Sequence, residues 1–83
     1  MSTAEIYAGL TDLFRELFAD DALELSPGMT AHDVDGWDSF NHLSVMVAVE
    51  TRFGVRMRTD EIESLGTIGE LVATIERKQH SGR

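Results

Sequence analysis

Ser39, His42 and Asp38 are the residue types of a hydrolytic triad, and one helical turn would bring Ser39 beside His42. Asp38 is the neighbour of Ser39 and is badly placed to reach the far nitrogen of that imidazole. No strand-turn elbow and no pair of oxyanion donors accompanies them, so catalysis by this trio is not expected. The run Asp33-Val34-Asp35-Gly36-Trp37-Asp38 has the opening acids of a calcium loop. Its glycine is out of register, Trp37 takes a ligand position, and Ser44 stands where the closing glutamate belongs. His32 and His80 lack neighbours at metal-ligand spacing, so no metal site is expected.

Ser39 has another use. Gly36-Trp37-Asp38-Ser39-Phe40 lies where an acidic loop meets a helix. The first amides of a helix lack internal partners and carry partial positive charge, so a phosphate esterified to a serine there is favoured. Asp38 can cap the helix, or help a modifying enzyme place a metal ion or take up the serine proton. A plainer reading stands beside this one. Asp and Ser are common helix-cap residues, and an Asp-Ser pair at a helix start needs no function. Trp37 is expected to anchor the loop rather than to serve as a ligand platform. His42 is expected at the surface, near whatever Ser39 carries.

The surrounding pattern is helical. Ser2-Thr3-Ala4-Glu5 has capping-box spacing. Ile6, Leu10, Leu13, Phe14, Leu17 and Phe18 follow at three- and four-residue intervals, predicting a helix to about residue 19. Residues 20 to 37 break the period, with turn signals at Pro27-Gly28 and Asp35-Gly36. This long first loop carries acids and no Lys or Arg, and Leu23, Leu25, Met29 and Val34 are expected to pin it to the bundle. A second helix is predicted from Asp38 or Ser39 to about Arg52, burying Leu43, Met46, Val47, Val49 and Phe53, with Gly54 ending it. Thr59 or Asp60 should cap a short helix through Leu65. Thr67 to Glu70 should open a last helix, with Ile68, Leu71, Val72 and Ile75 inward. Residues 79–83 are polar and are expected to fray. No stretch alternates at period two. The expected fold is all-α: a four-helix bundle of three main helices and a short third one, forming a single domain over residues 1–83.

Composition narrows the function. With 83 residues and no cysteine, the chain has neither a disulfide nor a thiolate of its own. A core this small leaves little room for a deep catalytic cleft. Fifteen acids against seven bases give a net charge of −8. That excludes the basic footprint nucleic acid needs, and it favours partners with basic docking patches. No apolar run approaches the roughly 20 residues that span a bilayer. The N-terminus lacks a basic start and apolar stretch, so a cytoplasmic protein is expected.

Gly36-Trp37-Asp38-Ser39-Phe40, then an apolar-periodic helix ending Glu50-Thr51-Arg52-Phe53-Gly54-Val55, resembles the acyl carrier protein family. The likeness runs on through Thr59-Asp60-Glu61-Ile62 and Ile68-Gly69-Glu70-Leu71-Val72, covering roughly residues 4 to 78 and most specific from Gly36 onward. The resemblance implies that Ser39 is the attachment point of 4′-phosphopantetheine, installed from coenzyme A by a separate phosphopantetheinyl transferase. The thiol of that arm would hold acyl groups as thioesters for acyl-loading and acyl-processing enzymes. Such a carrier is not itself an enzyme, and a monomer is expected. Asp38 would support the modification, and Asp35, Trp37, Phe40 and His42 would meet partners.

Departures from the family pattern are informative. Phe40 replaces the usual leucine and is expected still to pack. Asn41, His42 and Ser44 stand where fatty-acid carriers often have acids, and Arg52, Arg56 and Arg58 dilute the charge further. This favours a dedicated carrier in a specialised pathway, such as polyketide or other secondary-metabolite assembly, over the housekeeping fatty-acid role. Trp37-Asp38-Ser39 does not match the Gly-Gly-x-Ser pattern of peptide-synthetase carriers. The alternative is a helical interaction module with no prosthetic group.

Overall fold

The structure is a computed structural model that describes residues 2–81. Four helices run in the order α1 (Thr3–Leu17), α2 (His42–Phe53), α3 (Thr59–Ser64) and α4 (Ile68–Ser81), with a single 3-10 turn at Ala31–Asp33. No strand occurs among the described residues. The all-α bundle with a short third helix and a long first loop is therefore as expected. Among the described residues no helix is long and apolar enough to cross a membrane.

α1 starts with the capping box its sequence forecasts. Ser2 Oγ accepts the Glu5 N–H at 3.2 Å, and Glu5 Oε1 accepts the Ser2 N–H at 2.8 Å. Ile6, Leu10 and Phe14 form its fully buried face, packed against α2 and α4. The helix ends at Leu17, two residues before the expected stop, and Leu17 itself is exposed. Asp20 N–H bonds the Arg15 carbonyl and Ala19 N–H the Glu16 carbonyl, the double bond of a Schellman stop. Ala19 holds the left-handed position of that stop at φ 51°, where glycine is the usual residue.

The loop over residues 18–41 is pinned as expected: Val34 is buried, while Leu23, Leu25 and Met29 lie half-buried on the core. It is also tied down by its backbone. The Met29 and Pro27 carbonyls accept the Ile68 and Gly69 N–H groups at 2.7 and 2.9 Å. These are orphan donors at the start of α4, so the loop caps that helix. The approach is close: a Cβ on Gly69 would sit 3.0 Å from the Pro27 carbonyl oxygen.

α2 buries Val45, Met46, Val49 and Phe53. Leu43 and Val47, expected in that stripe, are instead exposed. They lie on the outer side because the buried face is set by positions 45, 46, 49 and 53. Gly54 ends α2 at φ 66°, in the role read for it. Glu50 is not a surface acid here: its Oε2 accepts the Met57 N–H at 2.8 Å and holds the connection to α3.

α3 begins at Thr59, so its cap lies one residue before the earlier of the two expected ones. Arg58 precedes it, and Glu61 reaches back to the Arg58 N–H at 2.7 Å. Lys78 Nζ lies 2.9 Å from Glu61 Oε1 and ties α3 to α4. The Arg58 N–H first, then Lys78, hold the Glu61 carboxyl below the usual carboxylate range. α4 opens with the forecast box, Thr67 Oγ1 accepting the Glu70 N–H while Glu70 Oε1 accepts the Thr67 N–H. It buries Ile68, Leu71, Val72 and Ile75. Residues 79–81, expected to fray, continue the helix, and Gln79 Nε2 donates to the Phe53 carbonyl at 3.3 Å. Residues 82 and 83 lie outside the described residues.

Candidate functional site: the Ser39 turn

Ser39 lies in a turn before α2, not on the helix; regular α2 starts three residues later, at His42. The reason is a local box. Asp38 Oδ1 accepts the N–H groups of Phe40 and Asn41 at 2.9 and 3.1 Å. Asn41 Oδ1 returns the bond to the Asp38 N–H at 2.9 Å, and its amide nitrogen donates to the Gly36 carbonyl. The first α-type bond of the region then runs from Val45 N–H to the Asn41 carbonyl at 2.8 Å. Asp38 thus caps, one of the two roles read for it.

These bonds bear on Ser39 in two ways. They leave its hydroxyl outside the network, on an exposed residue. They also engage the Phe40 and Asn41 amides. Those donors are therefore not free for a phosphate on Ser39, as the position at a helix start suggested. What the turn supplies is a hydrogen-bonded backbone around an exposed serine.

Trp37 is the loop anchor. Its ring meets Phe14 edge-on at 5.2 Å and lies at 28° to Phe18 at 6.2 Å. Aromatic contacts at these separations add to the area they bury. Its Nε1–H donates to Nδ1 of His42 at 3.0 Å. His42 is consequently no free surface residue; it is half-buried, with Nε2 at 3.4 Å from the Ile62 carbonyl oxygen of α3. An indole nitrogen only donates, so neutral His42 carries its proton on Nε2 and points it at Ile62. Both ring nitrogens are thereby occupied. His42 is not positioned to take a proton from Ser39, which removes the triad on geometry.

Asp35 is exposed in the turn before Gly36, whose φ of 94° needs a glycine. Phe40 was expected to pack and is instead 95% exposed. Its backbone is held by Asp38, and no core position lies under its side chain. With Leu43 at 63% and Val47 at 51%, it forms an outward apolar stripe at helical spacing beside Ser39. Asp33, Asp35 and Asp38 are all exposed near the turn. Among the described residues no group of three or more His, Asp or Glu could hold a metal ion.

Sequence reading missed Asn41 as the second half of the turn. Its signal was available, since Asp38 and Asn41 stand at capping-box spacing. It also missed the Ile62 carbonyl as a partner of His42, and no sequence signal marks a backbone acceptor.

No family model matches the chain. An acyl carrier protein of Arthrobacter sp. (strain FB24) is 36% identical over 80 residues, covering 94% of this chain and 96% of that protein. A meromycolate extension acyl carrier protein of Mycolicibacterium aurum is 29% identical, covering 92% and 78%. Among solved structures, the solution structure of a holo acyl carrier protein from Geobacter metallireducens matches with a TM-score of 0.83 at 29% identity, over 92% of this chain and 87% of that one. With an exposed serine in a capped turn, on a bundle of this shape, the chain belongs to the acyl carrier protein family.

Proposed function

We propose that Ser39 is the attachment point of 4′-phosphopantetheine and that this single-domain carrier presents acyl groups for a specialised pathway. The observation that carries the first part is the Asp38–Asn41 turn. It orders the backbone on both sides of Ser39 and leaves the hydroxyl exposed. A phosphodiester forms there when the Ser39 oxygen loses its proton and displaces the nucleotide part of coenzyme A in a transferase. The group fits sterically, because an open groove flanks Ser39. When bound, it supplies a terminal thiol that holds an acyl group as a thioester. The chain's own part is to position Ser39 and to offer no competing thiol, since it has no cysteine.

The second part rests on α2. Its front offers Phe40, Leu43 and Val47 to solvent, with Asn41 and Ser44 between them and no acid before Glu50. A partner enzyme meets an apolar stripe there, with Asp35 and Asp38 at one end and Arg52 and Arg56 beyond the other. A dedicated carrier is also among the relatives, by its name in meromycolate extension. In this reading the carrier is a cytoplasmic monomer that visits a transferase and then acyl-loading and acyl-processing enzymes in turn, with Asp35, Trp37, Phe40 and His42 near the contact.

The test is transfer of a fluorescent coenzyme A analogue by a broad-specificity transferase. Wild type becomes labelled, and Ser39→Ala stays unlabelled with an unchanged helical circular-dichroism spectrum. Labelling of Ser39→Ala would place the arm elsewhere. A wild type that takes no label would favour the interaction module.

A further inference from the structure

Charge is divided along α2. Residues 20–38 hold Asp20, Asp21, Glu24, Asp33, Asp35 and Asp38, all exposed, and no Lys or Arg. Three of the chain's seven Lys and Arg, namely Arg52, Arg56 and Arg58, fall within residues 52–58. The 12 residues of α2 hold the two groups about 18 Å apart. Phe40, Leu43 and Val47 lie exposed between them.

The three arginines are not equivalent. Arg58 Nε lies 3.1 Å from Asp60 Oδ1. The Arg52 guanidinium stands 5.8 Å from the centre of the Phe53 ring and reaches over Gly9 of α1. The exposed Arg56 side chain has no hydrogen bond, ion pair or ring contact with any described residue. Every other Lys and Arg among the described residues has a partner: Arg15 the Leu23 carbonyl, Arg77 and Lys78 the Glu61 carboxylate. In a chain with 15 acids and seven bases, carboxylates are the abundant group, yet none answers Arg56.

Its surroundings show what it faces. Arg56, Val47, Thr51 and Gly54 line an open groove, so the groove begins where the apolar stripe of α2 ends. Gly54 leaves it unobstructed, since a Cβ there would meet nothing within 4 Å. Glu50 lines it too, but its Oε2 is bound to the Met57 N–H.

Resting on the reading of Ser39 as the attachment point of the arm, we propose that Arg56 receives an Asp or Glu of the enzyme that takes the arm, in the groove at the end of the Phe40–Leu43–Val47 stripe. The pairing gives α2 a direction on its partner. The Ser39 end must face the entrance of the enzyme's active site, and the acids there call for basic residues around that entrance. Arg56 calls for a carboxylate about 20 Å away from it. An enzyme that is basic at both places meets like charge at Arg56, which selects against it. The net charge of −8 alone favours basic docking patches throughout; Arg56 marks one place where the partner is acidic.

The experiment uses the full chain carrying an arm that ends in a bromoacetyl group. The active-site cysteine of a condensing enzyme displaces the bromide and traps the pair covalently. An enzyme trapped from extract of the native host is identified by mass, purified, and used to measure trapping rates. Arg56→Glu should slow trapping about five-fold, the upper end for one exposed ion pair, and Arg56→Lys should stay near wild type. Arg58→Glu makes the same change in net charge two residues away and should also stay near wild type, because Arg58 already pairs with Asp60. In the Arg56→Lys complex, carbodiimide should join the new amine to an Asp or Glu of the enzyme, and reversing the charge of that acid should restore the rate of Arg56→Glu. Equal rates for wild type and Arg56→Glu, or equal slowing by Arg56→Glu and Arg58→Glu, overturn the proposal and leave the carrier reading intact. A chain that takes no arm, or carries it and traps nothing, overturns the carrier reading and the proposal with it. Should Arg56→Glu fail to fold by circular dichroism, the carbodiimide link decides alone, and its absence at position 56 overturns the proposal.

Discussion

Asp38 and Asn41 close one turn from both ends, Asp38 Oδ1 taking the Asn41 N–H at 3.1 Å and Asn41 Oδ1 taking the Asp38 N–H at 2.9 Å. Ser39 rides between them. Loss of a capping side chain costs about 0.5–2 kcal/mol. Asp38→Ala and Asn41→Ala should each lower the urea midpoint by that order. Because they share one network, the double variant should lose less than the two single losses added. Strict additivity in a denaturation cycle would show that the box is not a unit.

Ala19 predicts a gain. It occupies a left-handed position that costs an L-residue roughly 1–2 kcal/mol. Glycine removes that strain but raises the entropy of the unfolded chain. Ala19→Gly should stabilise the fold by about 1 kcal/mol, read as a rise in melting temperature. A fall would mean that α1 does not stop at this residue.

The α2 stripe separates core from surface. Met46 is fully buried, and Met46→Ala should cost about 2–5 kcal/mol through lost burial and the cavity left behind. Leu43→Ser and Val47→Ser change exposed positions and should stay within about 0.5 kcal/mol of wild type. Chemical denaturation of the three variants distinguishes this from the stripe that helical periodicity alone suggests. A large loss at Leu43 would return that residue to the core.

Glu61 gives a pH dependence with a definite sign. Its folded carboxyl lies below the usual range, through the Arg58 N–H and then Lys78. A depressed acid stabilises the fold above its unfolded value, about 4.3, and loses that contribution as pH falls through the folded value. Wild type should therefore be more stable than Glu61→Gln at neutral pH. The gap should close below pH ~4, in urea unfolding at each pH. A gap that stays constant down to low pH would assign the effect to packing.

Much of the fold was legible because each element carries its own punctuation. Ser2 with Glu5, Thr67 with Glu70, and Gly54 act in the structure as their spacing indicates. The inward sets of α1 and α4 followed from periodicity for Ile6, Leu10, Phe14, Ile68, Leu71, Val72 and Ile75. Periodicity failed on α2, where nearly every position from Leu43 to Val49 is apolar. With no polar face to break the tie, the sequence does not say which side is buried. The start of α2 was misread because Asp38 satisfies the same amides in a turn as in a helix. At the candidate site, Trp37 as the loop anchor and Asp38 as a cap were legible. His42 was not, because its role depends on an indole five residues back and a carbonyl twenty residues on. Such contacts exist only once the bundle has closed.

The central claim is that Ser39 bears the arm, and the mass of the intact protein purified from its native host tests it most directly. The account predicts a chain heavier by one 4′-phosphopantetheine, with fragmentation locating the phosphodiester on Ser39 and any further mass released by hydroxylamine as thioester-bound cargo. A population carrying no phosphopantetheine, or carrying it on another residue, would contradict the account.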